Sequence, residues 1–231
     1  MSVLRPRFLV LTTVATVWLG SAAAAQLERP VPYPIPHDRA WERAVKKETR
    51  TMTGKPGAKY WTDYASYKIE AELEPERAQV SGRAEMTYHN RSPSSVRSVL
   101  VHLRQNVHKS GSLRNTFVEI TGGVKIDGVE FGGEPLKSTN GRGVGYAIRG
   151  TVMSVRLPER IRSGAKGTLT IRWSYRVPKR GAPRNGHENN NLFYLGYWYP
   201  QFAVHEDVDG WVAEQYMANA EFYMGYADYD L

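Results

Sequence analysis

The sequence contains no cysteine. That single absence excludes disulfides, thiolate zinc sites, iron–sulfur clusters and thiol catalysis. Long apolar runs are also lacking. The one extended candidate, Phe8 to Leu19, is about 12 residues, against the roughly 20 that a membrane-spanning helix needs. Motifs of hydrolytic zinc are started and not finished. His187-Glu188 and His205-Glu206 each open H-E-x-x-H, but the fifth positions are Asn191 and Asp209. There is no G-x-S-x-G elbow and no phosphate-binding glycine loop of the G-x-x-x-x-G-K type. Finally, positive charge is missing from one end, since Leu192 to Leu231 holds no Lys or Arg.

What is present describes an ordinary globular chain. Its 231 residues are 41% hydrophobic and 23% charged, which excludes wholesale disorder and suits one domain, or one large and one very small. Arg5 and Arg7 precede the apolar stretch, and Ser21 to Ala25 offers a small-residue cleavage site with Ala23 and Ala25 at the recognised positions. The expectation is a cleaved secretion signal over residues 1–25 and a secreted or periplasmic product; an uncleaved anchor is the rival reading. Residues 26–59 form a proline-rich arm (Pro30, Pro32, Pro34, Pro36) followed by a short helix from an Asp38 cap to about Thr49, with Trp41, Ala44 and Val45 facing inward.

From Tyr64 the apolar period becomes two. Tyr67, Ile69, Ala71 and Leu73 run to a turn at Glu74-Pro75-Glu76, and Val80, Gly82, Ala84, Met86 and Tyr88 return. Val99, Val101 and Leu103 follow a turn at Asn90–Ser95. Further strands are predicted at Phe117–Ile120, Lys125–Phe131, Ala147–Leu157 and Thr168–Val177. Short alternating strands separated by glycine turns predict a mainly β fold, an antiparallel β-sandwich over residues 60–231.

The net charge of +8 is concentrated in the body, because the last forty residues carry seven carboxylates and 12 of the 26 aromatics. Arg83, Arg97, Arg104, Arg172 and Arg176 read as solvated strand faces rather than a nucleic-acid surface. Glu206, Asp207, Asp209 and Gly210 read as a solvated acidic turn, with an irregular calcium site as the alternative; the EF-hand frame fails, placing His205 first and Tyr216 twelfth. Tyr197, Trp198, Tyr199, Trp211, Phe222, Tyr223, Tyr226 and Tyr229 are either sandwich core or an interface, and the interface is the expectation. It rests on Ala220–Leu231, where Phe222, Met224 and Tyr226 occupy one face of a strand and Tyr223, Ala227, Tyr229 and Leu231 the other. No catalytic and no metal residue is assigned.

Two segments carry a resemblance. Tyr197-Trp198-Tyr199-Pro200 through Glu206-Asp207-Val208 and Gly210-Trp211, and then Glu221-Phe222-Tyr223 through Tyr226-Ala227-Asp228-Tyr229-Asp230, follow the pattern W-[FY]-P, D-D-V, G-W, E-F-Y, Y-[AG]-D-[FY]-D, with Glu206 in place of the first D of D-D-V. With Tyr67–Ala71 and Gly82–Asn90 they resemble the amino-terminal domain of the aminopeptidase N family of zinc metallopeptidases, secreted bacterial type, over roughly residues 60–231. The resemblance implies a saddle-like β-sandwich that precedes a thermolysin-like catalytic domain and helps shape its substrate site. That catalytic domain carries G-x-M-E-N and H-E-x-x-H with a distant Glu; neither motif is in this chain, so the zinc of the family implies no cofactor here and the chain alone is expected to be inactive. The resemblance also implies a further strand after Asp230, so the sandwich is expected to be incomplete at its C-terminal end. Two functions follow: a non-catalytic domain whose partner is a missing or separately encoded metallopeptidase catalytic domain, or a free-standing secreted module that binds a peptide or carbohydrate. Neither involves nucleic acid or a stable membrane anchor.

Overall fold

Asp38 opens the first element. Its Oδ1 accepts from the Ala40 N–H at 3.1 Å, satisfying a donor that a helix start leaves open, and α1 (Arg39–Lys46) follows. The helix is shorter than expected. Glu48 takes a φ of 62°, a left-handed conformation that ends the ladder, and Thr49 returns its N–H and hydroxyl to the Ala44 carbonyl. Ala40 and Ala44 are buried, while Trp41 and Val45 are only half-buried. This computed structural model describes residues 36–231 other than Glu221; the expected signal at 1–25 and the arm prolines Pro30, Pro32 and Pro34 lie outside the described residues.

The strands are β1 (Tyr64–Glu74), β2 (Gln79–His89), β3 (Val96–His102), β4 (Lys125–Phe131), β5 (Glu134–Pro135), β6 (Gly145–Arg149) and β7 (Val152–Ile161). They continue as β8 (Lys166–Arg176), β9 (Asn185–Glu188), β10 (Leu192–Leu195), β11 (Gln201–Phe202), β12 (Val204–Glu206), β13 (Gly210–Val212) and β14 (Tyr226–Asp230). A six-stranded sheet runs β14-β1-β2-β8-β4-β5, and a four-stranded sheet runs β11-β3-β7-β6. β9 with β10, and β12 with β13, form two small hairpins. The fold is mainly β with one short α-helix, as the alternation predicts.

Period-two burial makes the core. Ala65, Tyr67 and Ile69 of β1, Val80, Ala84, Met86 and Tyr88 of β2, and Leu169, Ile171, Trp173 and Tyr175 of β8 share one face. Val99 and Val101 of β3, and Met153, Val155 and Leu157 of β7, meet them from the second sheet. Gly82 lies opposite Trp173, and a Cβ there would come within 2.8 Å of the indole, so the glycine makes room for the largest buried side chain.

Four expectations need correction. Phe117–Ile120 is not a strand: Phe117 is 83% exposed, and the backbone of this stretch bonds to loops, with Glu119 N–H to Arg180 and Thr121 N–H to His108. Ala147–Leu157 is two strands, because Gly150 at φ 56° turns the chain between β6 and β7. The strand expected over Ala220–Leu231 begins only at Tyr226, since Phe222 is drawn away to stack on Tyr197 and Gly225 sits against Asp63. And β14 is not antiparallel: it joins β1 in parallel, Tyr64 opposite Tyr226 through Lys68 opposite Asp230, whereas every other pair of these strands is antiparallel.

Candidate functional site

The aromatic residues of the C-terminal segment separate into two groups. The first is built on Tyr67, a buried β1 side chain whose hydroxyl accepts from the Phe202 N–H at 3.0 Å. Tyr229 stacks on its ring at 5.0 Å and 8°, Tyr199 meets it edge-on at 5.8 Å, and the Tyr199 hydroxyl donates to that of Tyr229 at 3.1 Å. Although Ala227 and Tyr229 lie on the core side of β14, Tyr229 is 45% exposed. On the other face Tyr226 is 71% exposed. β14 is the outermost strand of its sheet, so its outer backbone edge is unpaired among the described residues.

The second group surrounds Arg104. Tyr197, held at φ 55° and bonded through its hydroxyl to Arg184 at 2.7 Å, stacks on Phe222 at 3.6 Å, and Phe222 packs on Tyr216 at 5.1 Å. Arg104 corrects a sequence reading: it is not on a solvated strand face but buried, in the one-turn 3-10 segment Arg104–His108 that follows β3. Burial lowers its pKa from the usual value. The remaining expected interface residues are partly core. Trp198 packs near Trp173 at 6.2 Å, and Trp211 stacks on His205 at 4.8 Å. Tyr223 is half-exposed, with its hydroxyl donating to Glu206 Oε2 at 3.1 Å and its pKa pushed up to about 12, by burial first and then by Glu206.

Where the segment before β1 meets β2 and β12 lies a polar cluster that the sequence did not announce. Burial raises Asp63 to about 6, against the lowering effect of the His205 backbone and the Tyr88 hydroxyl. Tyr88 and His205 Nδ1 share a hydrogen bond of 2.9 Å, and burial lowers His205 to about 4. Trp61 donates to the His205 carbonyl at 3.0 Å. The acidic turn is likewise not solvated throughout. Asp207 has a side chain 1% exposed and is gripped by Arg50 through bonds of 2.8, 2.9 and 3.1 Å. His187, which opens one unfinished H-E-x-x-H, is a buried β9 residue stacked on Phe193.

This arrangement can hold protons and present aromatic surface. Ser66 Oγ lies 3.0 Å from His89 Nε2, yet no carboxylate bonds to the other ring nitrogen among the described residues. Nor do the residues fit zinc. Among the described residues no three His, Asp or Glu side chains gather around one point; His108 Nδ1 is bonded to the Glu119 carbonyl, and His205 to the Tyr88 hydroxyl. No helix among the described residues is long and apolar enough to cross a membrane.

No family model matches this chain, and no curated protein matches it. Among solved structures it is similar to an M1 zinc metallopeptidase from Deinococcus radiodurans, at 12% identity and a TM-score of 0.32, over 51% of this chain and 20% of that one. A mutant of that enzyme bound to a Tyr-Ser-Ala substrate gives 11% identity, TM-score 0.32 and the same coverage. A mutant two-domain M1 zinc metallopeptidase bound to L-arginine gives 14% identity and TM-score 0.31, over 53% of this chain and 22% of that one. The aligned region thus spans about a fifth of the length of those enzymes.

Proposed function

We propose that this chain is the non-catalytic β-sandwich domain of a secreted, zinc-dependent, aminopeptidase-like metallopeptidase, and that it packs on a catalytic domain through the β14 edge. The observation that carries this reading is the exposed aromatic edge. Tyr223, Met224, Tyr226, Tyr229 and Leu231 are 53%, 49%, 71%, 45% and 79% exposed and lie on or beside a strand whose outer edge has no partner among the described residues. A monomer leaves such a patch bare only at the risk of aggregation, and a domain interface covers it. Support for the kind of partner comes from the tail motif of the sequence, in which the same aromatics recur.

The catalytic residues and zinc then belong to the partner, and this chain supplies surface and support. The test is co-expression with an H-E-x-x-H-bearing metallopeptidase catalytic domain, followed by measurement of the complex and of turnover on aminoacyl naphthylamides. A complex that Tyr226→Asp weakens, with the isolated chain inactive and holding no stoichiometric zinc, is the expected result. Near one zinc per isolated chain, with turnover lost on chelation and restored by zinc, would overturn it.

A further inference from the structure

Arg104 is 4% exposed, and a guanidinium removed from water costs several kcal/mol unless its donors meet acceptors, best of all a carboxylate. One acceptor is supplied: Nη1 donates to Gln201 Oε1 at 2.5 Å, fixed because Gln201 on β11 pairs with His102 on β3. No ion pair to Arg104 occurs among the described residues. The groups whose charge bears on it are Tyr199, Tyr197, Tyr67 and Tyr216, neutral phenols near pH 7. The Phe222 and Tyr197 rings lie 4.9 and 5.5 Å from its central carbon. Aromatic faces stabilise a cation, but they leave in-plane N–H donors without acceptors.

Those donors adjoin a cavity of about 120 Å³, lined also by His102, Tyr216 and Phe222, with the exposed Glu214 on its wall. His102 is 7% exposed and its Nδ1 has no hydrogen-bond partner. Two buried nitrogen-bearing side chains therefore border the same space: Arg104, whose positive charge has no ionic partner among the described residues, and His102, kept neutral by burial. The volume is about four times the ~30 Å³ share of a water molecule, room for the carboxylate end of a small organic acid.

We propose that this cavity binds a small carboxylate, whose oxygens meet the open N–H groups of Arg104 while its apolar part lies against Phe222 and Tyr216. The site does not depend on the docking role of β14, and its ligand would be recognised even if that role were disproved.

The test is a calorimetric titration of the whole protein with acetate and 3-phenylpropionate, with 3-phenylpropionamide as the uncharged control. Saturable one-to-one binding of the acids, weaker by about tenfold or more for the amide, is expected. Arg104→Met should weaken acid binding by at least about tenfold without lowering the thermal midpoint, because it removes a buried charge that has no ionic partner. A variant that fails to fold leaves the wild-type measurement decisive: no shift of the arginine Nε–H resonances on adding acid overturns the proposal. Glu221, next to Phe222 in sequence, supplies the internal control. Acid binding that persists in both wild type and Glu221→Gln supports the site, and binding that appears only in Glu221→Gln means that the chain fills it itself and overturns the proposal.

Discussion

Removing Arg50 would leave the Asp207 carboxylate buried without its cation. Breaking a buried pair from one side typically costs about 3–5 kcal/mol, whereas an exposed pair such as Lys59–Glu48 is worth almost nothing measurable. Arg50→Met is therefore expected to lower urea-unfolding stability by about 3 kcal/mol; a change within half a kcal/mol would show that Asp207 finds another partner. Buried histidines set the acid response. His102 and His205 are both held near 4, by burial first and, for His102, also by the charge of Arg104. Each has a folded pKa below the unfolded value of 6.5, so the unfolded chain binds more protons between about 4 and 6.5 and stability rises with pH through that window. Asp63 works the other way. Its folded value near 6 exceeds 3.8, so the folded state holds the extra proton and stability falls as pH rises between about 4 and 6. Two histidines against one carboxyl leave a net loss on acidification, on the order of 3 kcal/mol from pH 6.5 to pH 4, and His108, lowered by burial in the same direction, adds to it. Urea unfolding across that range checks it, and His205→Phe should flatten the slope; an unchanged slope would remove His205 from the account.

At the scale of elements, the strands that the sequence made legible are those whose evidence is local. β1, β2, β3 and β8 alternate residue by residue, and each puts its apolar set into the core. What escaped depends on distant partners. Phe117–Ile120 has strand-like residues, but its backbone bonds go to Arg180 and His108. The parallel pairing of β14 with β1 joins positions about 160 residues apart and leaves no trace in the period of either strand. The same holds for side chains: Arg104 carries the charge of a surface residue, and only the turn after β3 buries it among Tyr197, Gln201 and Phe222. Close packing across β2 and β8 yields a further prediction. Gly82→Ala places a methyl 2.8 Å from Trp173 and 3.0 Å from the Glu70 carbonyl. It should destabilise by about 1–3 kcal/mol in urea, and wild-type stability would mean that the indole moves aside freely.

For the molecule as a whole, the exposed surface is uneven in kind. The body is basic, while the final forty residues combine seven carboxylates with nearly half the aromatics, of which Tyr226 and Tyr229 are exposed on β14 at one sheet edge and Tyr194 on β10. The core cluster draws on both large sheets and does not reach out to cover Tyr226 or Leu231. An uncovered edge strand is a template for pairing. The account therefore predicts that the purified protein, without its partner, associates through β14. Sedimentation velocity over a series of protein concentrations, comparing wild type with a Tyr226→Asp, Tyr229→Asp double variant, tests this most directly. Wild type should associate progressively with concentration while the double variant, with its near-ultraviolet spectrum retained, stays monomeric. A wild-type protein that remains monomeric throughout, or a folded double variant that associates equally, would contradict the claim that this edge is a docking surface.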